Sequence, residues 1–206
     1  MTRIKICGIT RVEDALAAAR AGADAIGMIF YAESTRHIGI GQAAKILEVL
    51  PPFVTPVALF VNPTSSEVEQ VIEALPFGLL QFHGDEDEVF CTQFSMPYLK
   101  GIRVGPGTDL VQYALDFHSA KGLLLDAHVP GSFGGTGQTF DWQRVPGKLD
   151  LPIILSGGLN PENVEQAVRT VKPWAVDVSS GVESAKGIKD PRKIEAFIRG
   201  VRNADV

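Results

Sequence analysis

The residues best suited to acid–base chemistry in this sequence stand where predicted β-strands end. The stretch R-I-K-I-C-G-I-T at Arg3–Thr10 places Cys7 just before a glycine that stops the first predicted strand. Asp126 ends the apolar run L-L-L-D in the same way. A cation such as Lys5 lowers the pKa of a nearby thiol because it favours the thiolate. We therefore expect a reactive Cys7, whereas Cys91, in D-E-V-F-C-T-Q-F, is predicted to be a small buried core residue without a role.

Two glycine-rich stretches follow the last two predicted strands. L-S-G-G-L-N-P-E-N-V contains Gly157 and Gly158, and V-D-V-S-S-G-V-E contains Ser180 and Gly181. Glycine lets the backbone approach a ligand closely, and free amides at helix starts attract anions. Ordinary turn glycines are the alternative for either loop alone. The two loops together predict a phosphate site.

Composition restricts the function classes. The chain has 206 residues, 45% of them apolar and 21% charged, with a formal net charge of −5. A negative net charge does not indicate the basic surface that nucleic-acid-binding proteins use. No apolar run has the length of a membrane span. With two cysteines, scattered histidines and no signal-peptide pattern, we expect a cytoplasmic protein without disulfides or a metal site. We also expect one catalytic domain over residues 1–206.

Eight short apolar runs alternate with helical patterns along the chain. Runs that are apolar nearly throughout are typical of parallel strands buried on both faces. The predicted strands are Ile4–Cys7, Ala25–Phe30, Pro56–Phe60, Leu79–Phe82, Tyr98–Ile102, Gly122–Asp126, Pro152–Leu155 and Ala175–Val178. Eight βα units predict an α/β fold, a (β/α)8 TIM barrel. An open doubly wound sheet is the rival, but no G-x-G-x-x-G follows the first strand.

Helix starts are predicted from capping residues. Thr10 is expected to cap a helix over Arg11–Ala21, and Asp190 a helix over Asp190–Val201. Asn-Pro-Glu is expected to open a helix over Asn160–Val171. Gly39 or Gly41 is expected to cap the helix after Arg36. The sixth unit is the weakest, since Phe140–Val145 allows at most a short helix.

The order and spacing of several motifs resemble the phosphoribosylanthranilate isomerase family over the whole chain. The motifs are K-I-C-G-I-T at Lys5–Thr10, S-T-R at Ser34–Arg36, V-A-L-F-V-N at Val57–Asn62, Q-F-H-G at Gln81–Gly84, L-L-L-D at Leu123–Asp126, G-G-T-G-Q-T-F-D-W at Gly134–Trp142, L-S-G-G-L at Leu155–Leu159 and V-D-V-S-S-G-V-E at Val176–Glu183.

The resemblance implies a reaction in tryptophan biosynthesis that uses no cofactor and no metal. It is the Amadori rearrangement of N-(5-phosphoribosyl)anthranilate to 1-(2-carboxyphenylamino)-1-deoxyribulose 5-phosphate. The furanose ring must be opened by an acid at its oxygen, and a base must then remove the C2′ proton. By resemblance Cys7 is the base and Asp126 the acid. The apolar run Leu123–Leu125 would help Asp126 to keep its proton.

Further residues are assigned to substrate binding. By resemblance Arg36 binds the anthranilate carboxylate, for which a guanidinium is a bidentate partner; a solvated loop arginine is the alternative. Arg103 is expected at the same end of the barrel. Gln81 and His83 are expected either to orient sugar hydroxyls or to form a polar network. Gly135–Gly137 is expected to form a lid, and His128 is given no role.

Three other functions are weighed against the isomerase. Indole-glycerol phosphate synthase requires catalytic lysines and glutamates and a longer N-terminal segment. A pentulose-phosphate epimerase requires metal-binding histidines at strand ends, where only His83 stands. A non-enzymatic binding module would need neither Cys7 nor Asp126. The expected partner is a small phosphorylated substrate, without nucleic acid or membrane, bound by a monomer or a homodimer.

Overall fold

The strands close into a parallel barrel in chain order. The computed structural model describes residues 1–127 and 139–205. Each strand pairs with its sequence neighbours, and the last pairs with the first, so the predicted TIM barrel is confirmed and the open sheet is wrong. The strands are β1 Arg3–Ile6, β2 Ala25–Ile29, β3 Thr55–Phe60, β4 Leu79–Phe82, β5 Tyr98–Val104, β6 Leu123–Ala127, β7 Ile153–Leu155 and β8 Ala175–Val178.

Seven α-helices are assigned within the described part of the chain. They are α1 Val12–Ala21, α2 Ile40–Val49, α3 Ser65–Ala74, α4 Glu88–Thr92, α5 Leu110–Asp116, α6 Val164–Val171 and α7 Pro191–Ala204. After β6 there is a 3-10 turn at Trp142–Arg144, which agrees with the weak sixth unit. A short hairpin of β9 Glu183–Ala185 and β10 Ile188–Lys189 precedes α7. The expected lid at Gly135–Gly137 and His128 lie outside the described residues.

Two of the predicted helix starts are wrong. The N-cap of α1 is Arg11, without a side-chain bond, because the Thr10 hydroxyl donates instead to the Gly187 carbonyl at 2.7 Å. Asn160 does not open α6 but forms a preceding turn, in which its side chain accepts from the Asn163 amide at 3.0 Å. The expected caps at Asp190 and Gly39 are confirmed.

The core has two parts that follow from the alternation of side chains along a strand. Outward-facing residues such as Ile6, Met28 and Phe60 pack with residues of the surrounding helices. A smaller cluster of Leu99, Leu124, Ile154 and Ala175 fills the lower interior of the barrel. Towards the carboxyl ends of the strands the interior becomes polar, and this end carries the candidate site.

Candidate active site

Cys7 lies directly after β1, buried against Leu59 and Val61. Gly27 on the neighbouring strand leaves the room for it, because a Cβ there would stand 2.7 Å from Sγ of Cys7 and 3.1 Å from Nζ of Lys5. The expectation of a lowered thiol pKa is wrong. Burial raises the pKa of Cys7 by more than the cationic neighbours Lys5 and Lys189 lower it.

Lys5 is held beneath the thiol by a buried ion pair. Its Nζ lies 2.8 Å from Oδ1 of Asp177 on β8, and both side chains are almost wholly buried. The hydroxyl of Ser156, just after β7, donates to the other carboxylate oxygen at 3.3 Å. Burial alone would lower the pKa of Lys5, but the Asp177 carboxylate and the Cys7 thiol raise it. Lys5 is therefore a fixed ammonium group beside Cys7.

Asp126 and His83 are brought together at the same end of the barrel. Nε2 of His83 lies 3.3 Å from Oδ2 of Asp126, and both groups are buried. Oδ1 of Asp126 accepts the amide of Ala127 at 2.8 Å. Gln81, two residues before His83 on β4, places its amide nitrogen 2.9 Å from Nδ1 of the imidazole. Of the two roles expected for Gln81 and His83, the polar network is therefore present.

Arg36 is engaged by a carboxylate that the sequence did not single out. Its Nε and Nη2 donate to the two carboxylate oxygens of Glu183 at 2.7 and 2.8 Å. Glu183 also accepts from the completely buried Nζ of Lys189 at 2.9 Å. Burial would raise the pKa of Glu183, but the bonds and charges of Arg36 and Lys189 lower it. Arg36 is therefore a guanidinium held in place by a carboxylate that it shares with Lys189, rather than a solvated loop arginine.

Arg103, at the end of β5, is paired with the exposed Asp85 through its Nη2. It is the register partner of Asp126 on the neighbouring strand. Its position at the carboxyl end of the barrel agrees with the expectation, while its binding role stays a prediction.

The two glycine-rich loops lie in direct contact. A Cβ on Gly181 would stand 1.9 Å from the carbonyl oxygen of Leu159, so only glycine permits this approach. Gly157 and Gly158 have φ angles of 82° and 62°, in the left-handed region. Gly157 and Gly158 lie outside the helices and strands, and their backbone N–H groups donate no hydrogen bond within the described ranges. Consecutive free amides of this kind form a concave anion site.

The family of this chain follows from comparison with known proteins. The family model described as N-(5'-phosphoribosyl)anthranilate (PRA) isomerase matches residues 4–200. The chain belongs to this family. The resemblance seen in the sequence is thereby confirmed, and with it the isomerase activity in tryptophan biosynthesis. The synthase, the epimerase and the non-enzymatic module are excluded.

Individual members of the PRA isomerase family support the assignment over the full length. A Pseudomonas putida N-(5'-phosphoribosyl)anthranilate isomerase is 57% identical over 202 residues, which cover 98% of each chain. The crystal structure of the Thermotoga maritima phosphoribosyl anthranilate isomerase aligns with a TM-score of 0.90 at 39% identity, covering 98% of this chain and 100% of the other. A further family structure, in complex with reduced 1-(o-carboxyphenylamino)-1-deoxyribulose 5-phosphate, has 37% identity and a TM-score of 0.84 with the same coverage.

The counter-ions of the site are not apparent from the sequence. Three charged residues of the site have no role in the sequence-based prediction. Asp177 pairs with Lys5, and Glu183 pairs with both Arg36 and Lys189. Glu183 is 147 positions from Arg36 in the chain, so no local pattern announces the pair. The one available signal was that Asp177 and Glu183 stand within the motif V-D-V-S-S-G-V-E after the last strand.

No helix in the described ranges 1–127 and 139–205 is long and apolar enough to span a bilayer.

Proposed function

We propose that Cys7 and Asp126 are the base and the acid of the isomerisation. The observation that carries the proposal is the placement of both groups, buried, at the carboxyl ends of β1 and β6, where TIM barrels hold their catalytic residues. Each is supported by a second group of the barrel interior, Lys5 for the thiol and His83 for the carboxyl group. Both supports are themselves buried, so their positions are fixed before the substrate arrives.

The reaction then begins with one proton transfer from Asp126 and one to Cys7. Asp126 gives its proton to the furanose oxygen, the C1′–O bond breaks, and the anthranilate nitrogen becomes part of a cationic iminium. Cys7 as thiolate removes the C2′ proton, and the electron pair of that C–H bond neutralises the iminium to form an enolamine. Protonation at C1′ and loss of the O2′ proton give the ketose. The cationic intermediate and Lys5 both favour the thiolate, which offsets the effect of burial on Cys7.

The two anionic ends of the substrate are assigned to separate parts of the rim. The phosphate binds the amides of Gly157, Gly158, Ser180 and Gly181, where the two loops meet. The anthranilate carboxylate binds Arg36. Since Glu183 occupies the Nε–Nη2 edge of that guanidinium, the substrate carboxylate takes the remaining Nη1 side.

Three further residues near Asp126 complete the assignment. Arg103 adds positive charge at the rim beside Asp126. Gln81 and His83 act next to the acid, through the hydrogen-bond network that ends on Asp126.

The base is tested by Cys7→Ser, with Cys91→Ser as the matched control. A hydroxyl is a far weaker base, so kcat should fall by about 10²–10⁴ while KM changes little. Cys91 is buried on α4 and its pKa is raised by burial to about 12, so Cys91→Ser should keep kcat. The reaction is followed by the loss of anthranilate-adduct fluorescence. Wild-type kcat in Cys7→Ser would remove Cys7 from the mechanism.

The acid is tested by Asp126→Asn, which preserves size and the bond from the Ala127 amide. Turnover should be abolished because Asn has no proton of suitable acidity to give. A carboxylate that only orients the substrate would tolerate Asn with a loss of about 1–3 kcal/mol, or one to two decades in rate. More than about a tenth of wild-type kcat would overturn the acid role.

The phosphate site is tested by crystallisation with inorganic phosphate. An ion bound between the loops that contain Gly157 and Gly181 is the expected result. A crystal with phosphate that leaves this place empty and occluded would contradict the assignment.

The wider setting follows from the activity. We infer one catalytic domain over residues 1–206, acting in the cytoplasm on a small phosphorylated substrate, without nucleic acid or membrane. The protein is a monomer or a homodimer, which light scattering on the purified protein distinguishes by mass.

A further inference from the structure

Lys189 on β10 is a buried lysine that the proton transfers do not use. Its side chain is 0% exposed. Its Nζ donates to the carbonyl and hydroxyl oxygens of Ser179 at 3.0 and 3.3 Å, and to Oε1 of Glu183 at 2.9 Å. These three acceptors match the three N–H bonds of an ammonium group. Burying such a group is costly, so its presence beside the site points to a use for its charge.

Bonds from the start of α1 fix the place of this lysine. Oδ2 of Asp14 accepts the backbone N–H of Lys189 at 3.0 Å, and the Thr10 hydroxyl donates to the Gly187 carbonyl at 2.7 Å. Gly187 lies in the turn between β9 and β10, with a φ angle of 76° in the left-handed region. The hairpin that carries Lys189 is therefore held against α1 before any ligand binds.

One carboxylate serves two cations in this cluster. Oε1 of Glu183 accepts from both Nζ of Lys189 and Nε of Arg36, and Oε2 accepts from Nη2 of Arg36. Glu183 thus fixes the direction of the guanidinium, but its negative charge by itself would also cancel the charge of Arg36. The Lys189 ammonium offsets the Glu183 charge, so the three groups together keep one net positive charge.

This excess charge lies next to the reactive thiol. Gly8, which follows Cys7, leaves room for the cluster, because a Cβ there would stand 2.6 Å from Cδ of Arg36 and 2.9 Å from the Ser179 hydroxyl oxygen. Arg36 and Ser179, which bonds Lys189, therefore both pack against the residue after Cys7. The cluster stands where the anthranilate end of the substrate is assigned.

Neighbouring charged groups do not cancel the excess charge. Lys5 is balanced by Asp177 at 2.8 Å. Asp14, which bonds the backbone of the hairpin, is paired with Nη2 of Arg11 at 3.3 Å. The cluster can therefore accept one further anion.

The electrostatics of Lys189 respond to anions. Burial lowers the pKa of Lys189, and the charge of Arg36 lowers it further, whereas the Glu183 carboxylate and a Cys7 thiolate raise it. A second carboxylate bound beside the cluster would favour the ammonium form in the same way.

We propose that Lys189 is a positioning residue for the anthranilate carboxylate: by offsetting the charge of Glu183, it leaves Arg36 with the positive charge that selects a ligand bearing this carboxylate. The inference rests on the proposed binding of the anthranilate carboxylate by Arg36. In the complex two carboxylates face two cations. A ligand without the carboxylate leaves the excess charge uncompensated.

The test compares two ligands that differ only in this carboxylate. They are the reaction product, 1-(2-carboxyphenylamino)-1-deoxyribulose 5-phosphate, and 1-phenylamino-1-deoxyribulose 5-phosphate. Isothermal titration calorimetry gives the Kd of each, and the Kd of the phenyl compound divided by that of the product measures the selectivity for the carboxylate. Since product binding needs no turnover, this ratio does not depend on the proton transfers.

Lys189→Met should lower the selectivity at least about tenfold, because Arg36 and Glu183 then remain as a neutral pair, while the Kd of the phenyl compound changes little. Lys193→Met is the matched control. The exposed Lys193 donates to the backbone carbonyl of Glu183 at 2.8 Å and not to its carboxylate, so its loss should leave the ratio at the wild-type value. Equal weakening of both ligands in Lys189→Met, or an unchanged ratio, would show that Lys189 only holds the hairpin and would overturn the inference.

Lys189→Gln separates the charge from the hydrogen bonds. Glutamine keeps N–H donors without the charge, so it should lose the selectivity as methionine does. A wild-type ratio in Lys189→Gln would refute the inference, and this variant decides if Lys189→Met does not fold.

Arg36→Met tests the assignment on which the inference rests, and it should also lower the ratio. If Arg36→Met keeps the wild-type ratio, the carboxylate site at Arg36 is wrong and the inference fails with it. If Arg36→Met lowers the ratio while both Lys189 variants keep it, the inference alone fails.

Discussion

Replacing Lys5 with methionine tests how the barrel supports its reactive thiol. The Lys5 ammonium lies 2.8 Å from the Asp177 carboxylate, with side chains only 5% and 6% exposed. Lys5→Met keeps the length of the side chain but leaves Asp177 buried, with only the Ser156 hydroxyl as a partner at 3.3 Å. Breaking a buried ion pair in this way costs about 3–5 kcal/mol. That is a large part of the ~5–15 kcal/mol by which a domain is stable.

The double variant Lys5→Met/Asp177→Asn separates stability from catalysis. It buries no charge at this place, and asparagine can still accept from Ser156, so most of the lost free energy of unfolding should return. Urea unfolding followed by tryptophan fluorescence measures both variants. Arg3→Met is the matched control, because it breaks the exposed pair with Asp24 and should cost only about 0–1 kcal/mol.

The stable double variant should nevertheless be a poor enzyme. Without the Lys5 ammonium the thiolate of Cys7 loses its nearest positive charge, so kcat at neutral pH should stay at least about tenfold below wild type. Wild-type kcat in the double variant would show that Lys5 has only a structural role. A double variant as unstable as Lys5→Met would refute the reasoning about the buried carboxylate.

Three more predictions concern other parts of the site. Burial raises the pKa of Cys7. The thiolate absorbance of the enzyme without substrate, taken as the difference from Cys7→Ser, should therefore titrate with a midpoint above the ~8.5 of free cysteine. A midpoint at or below that value would contradict the raised thiol pKa. Gly101→Ala places a methyl group 2.6 Å from Nδ1 of His83, so kcat should fall at least about tenfold in a folded protein, and unchanged kcat would show that the ring position is unimportant. Glu183→Gln can accept only one of the two bonds from Arg36, so KM should rise about tenfold, equivalent to ~1.4 kcal/mol, with little change in kcat; an unchanged KM would argue against Arg36 as the carboxylate site.

The barrel was predictable because its strands are simple in physical terms. A strand buried on both faces must be apolar nearly throughout, and eight such runs leave few alternatives to a closed parallel sheet. The helix starts were less predictable, because several groups compete for one capping side chain. The Thr10 hydroxyl could bond either the start of α1 or the distant Gly187 carbonyl, and the folded chain selects the second. Only the tertiary structure decides such a competition.

The candidate site was predictable in its reactive groups but not in its electrostatics. Cys7 and Asp126 stand out because their types are unusual at strand ends. The direction of the thiol pKa was predicted wrongly, because Lys5 is visible in the sequence while the depth of burial around Cys7 is not. Counter-ions such as Glu183 come from distant parts of the chain, so their pairing with Arg36 appears only when the barrel closes.

The upper interior of the barrel shows how this fold keeps charges buried without losing stability. Below it, leucine and isoleucine fill the space and need no partners. Above them each buried cation of the site has a carboxylate within hydrogen-bond distance: Lys5 has Asp177, and Lys189 has Glu183. Neither carboxylate is placed to react, yet each fixes a positive charge beside a group that is. Since removing one partner of the Lys5–Asp177 pair leaves an uncompensated charge, while removing both members does not, the paired substitution there should restore stability without restoring the reaction. The buried ion pairs therefore contribute to the reaction by fixing charges in place, whereas Cys7 and Asp126 carry out the proton transfers.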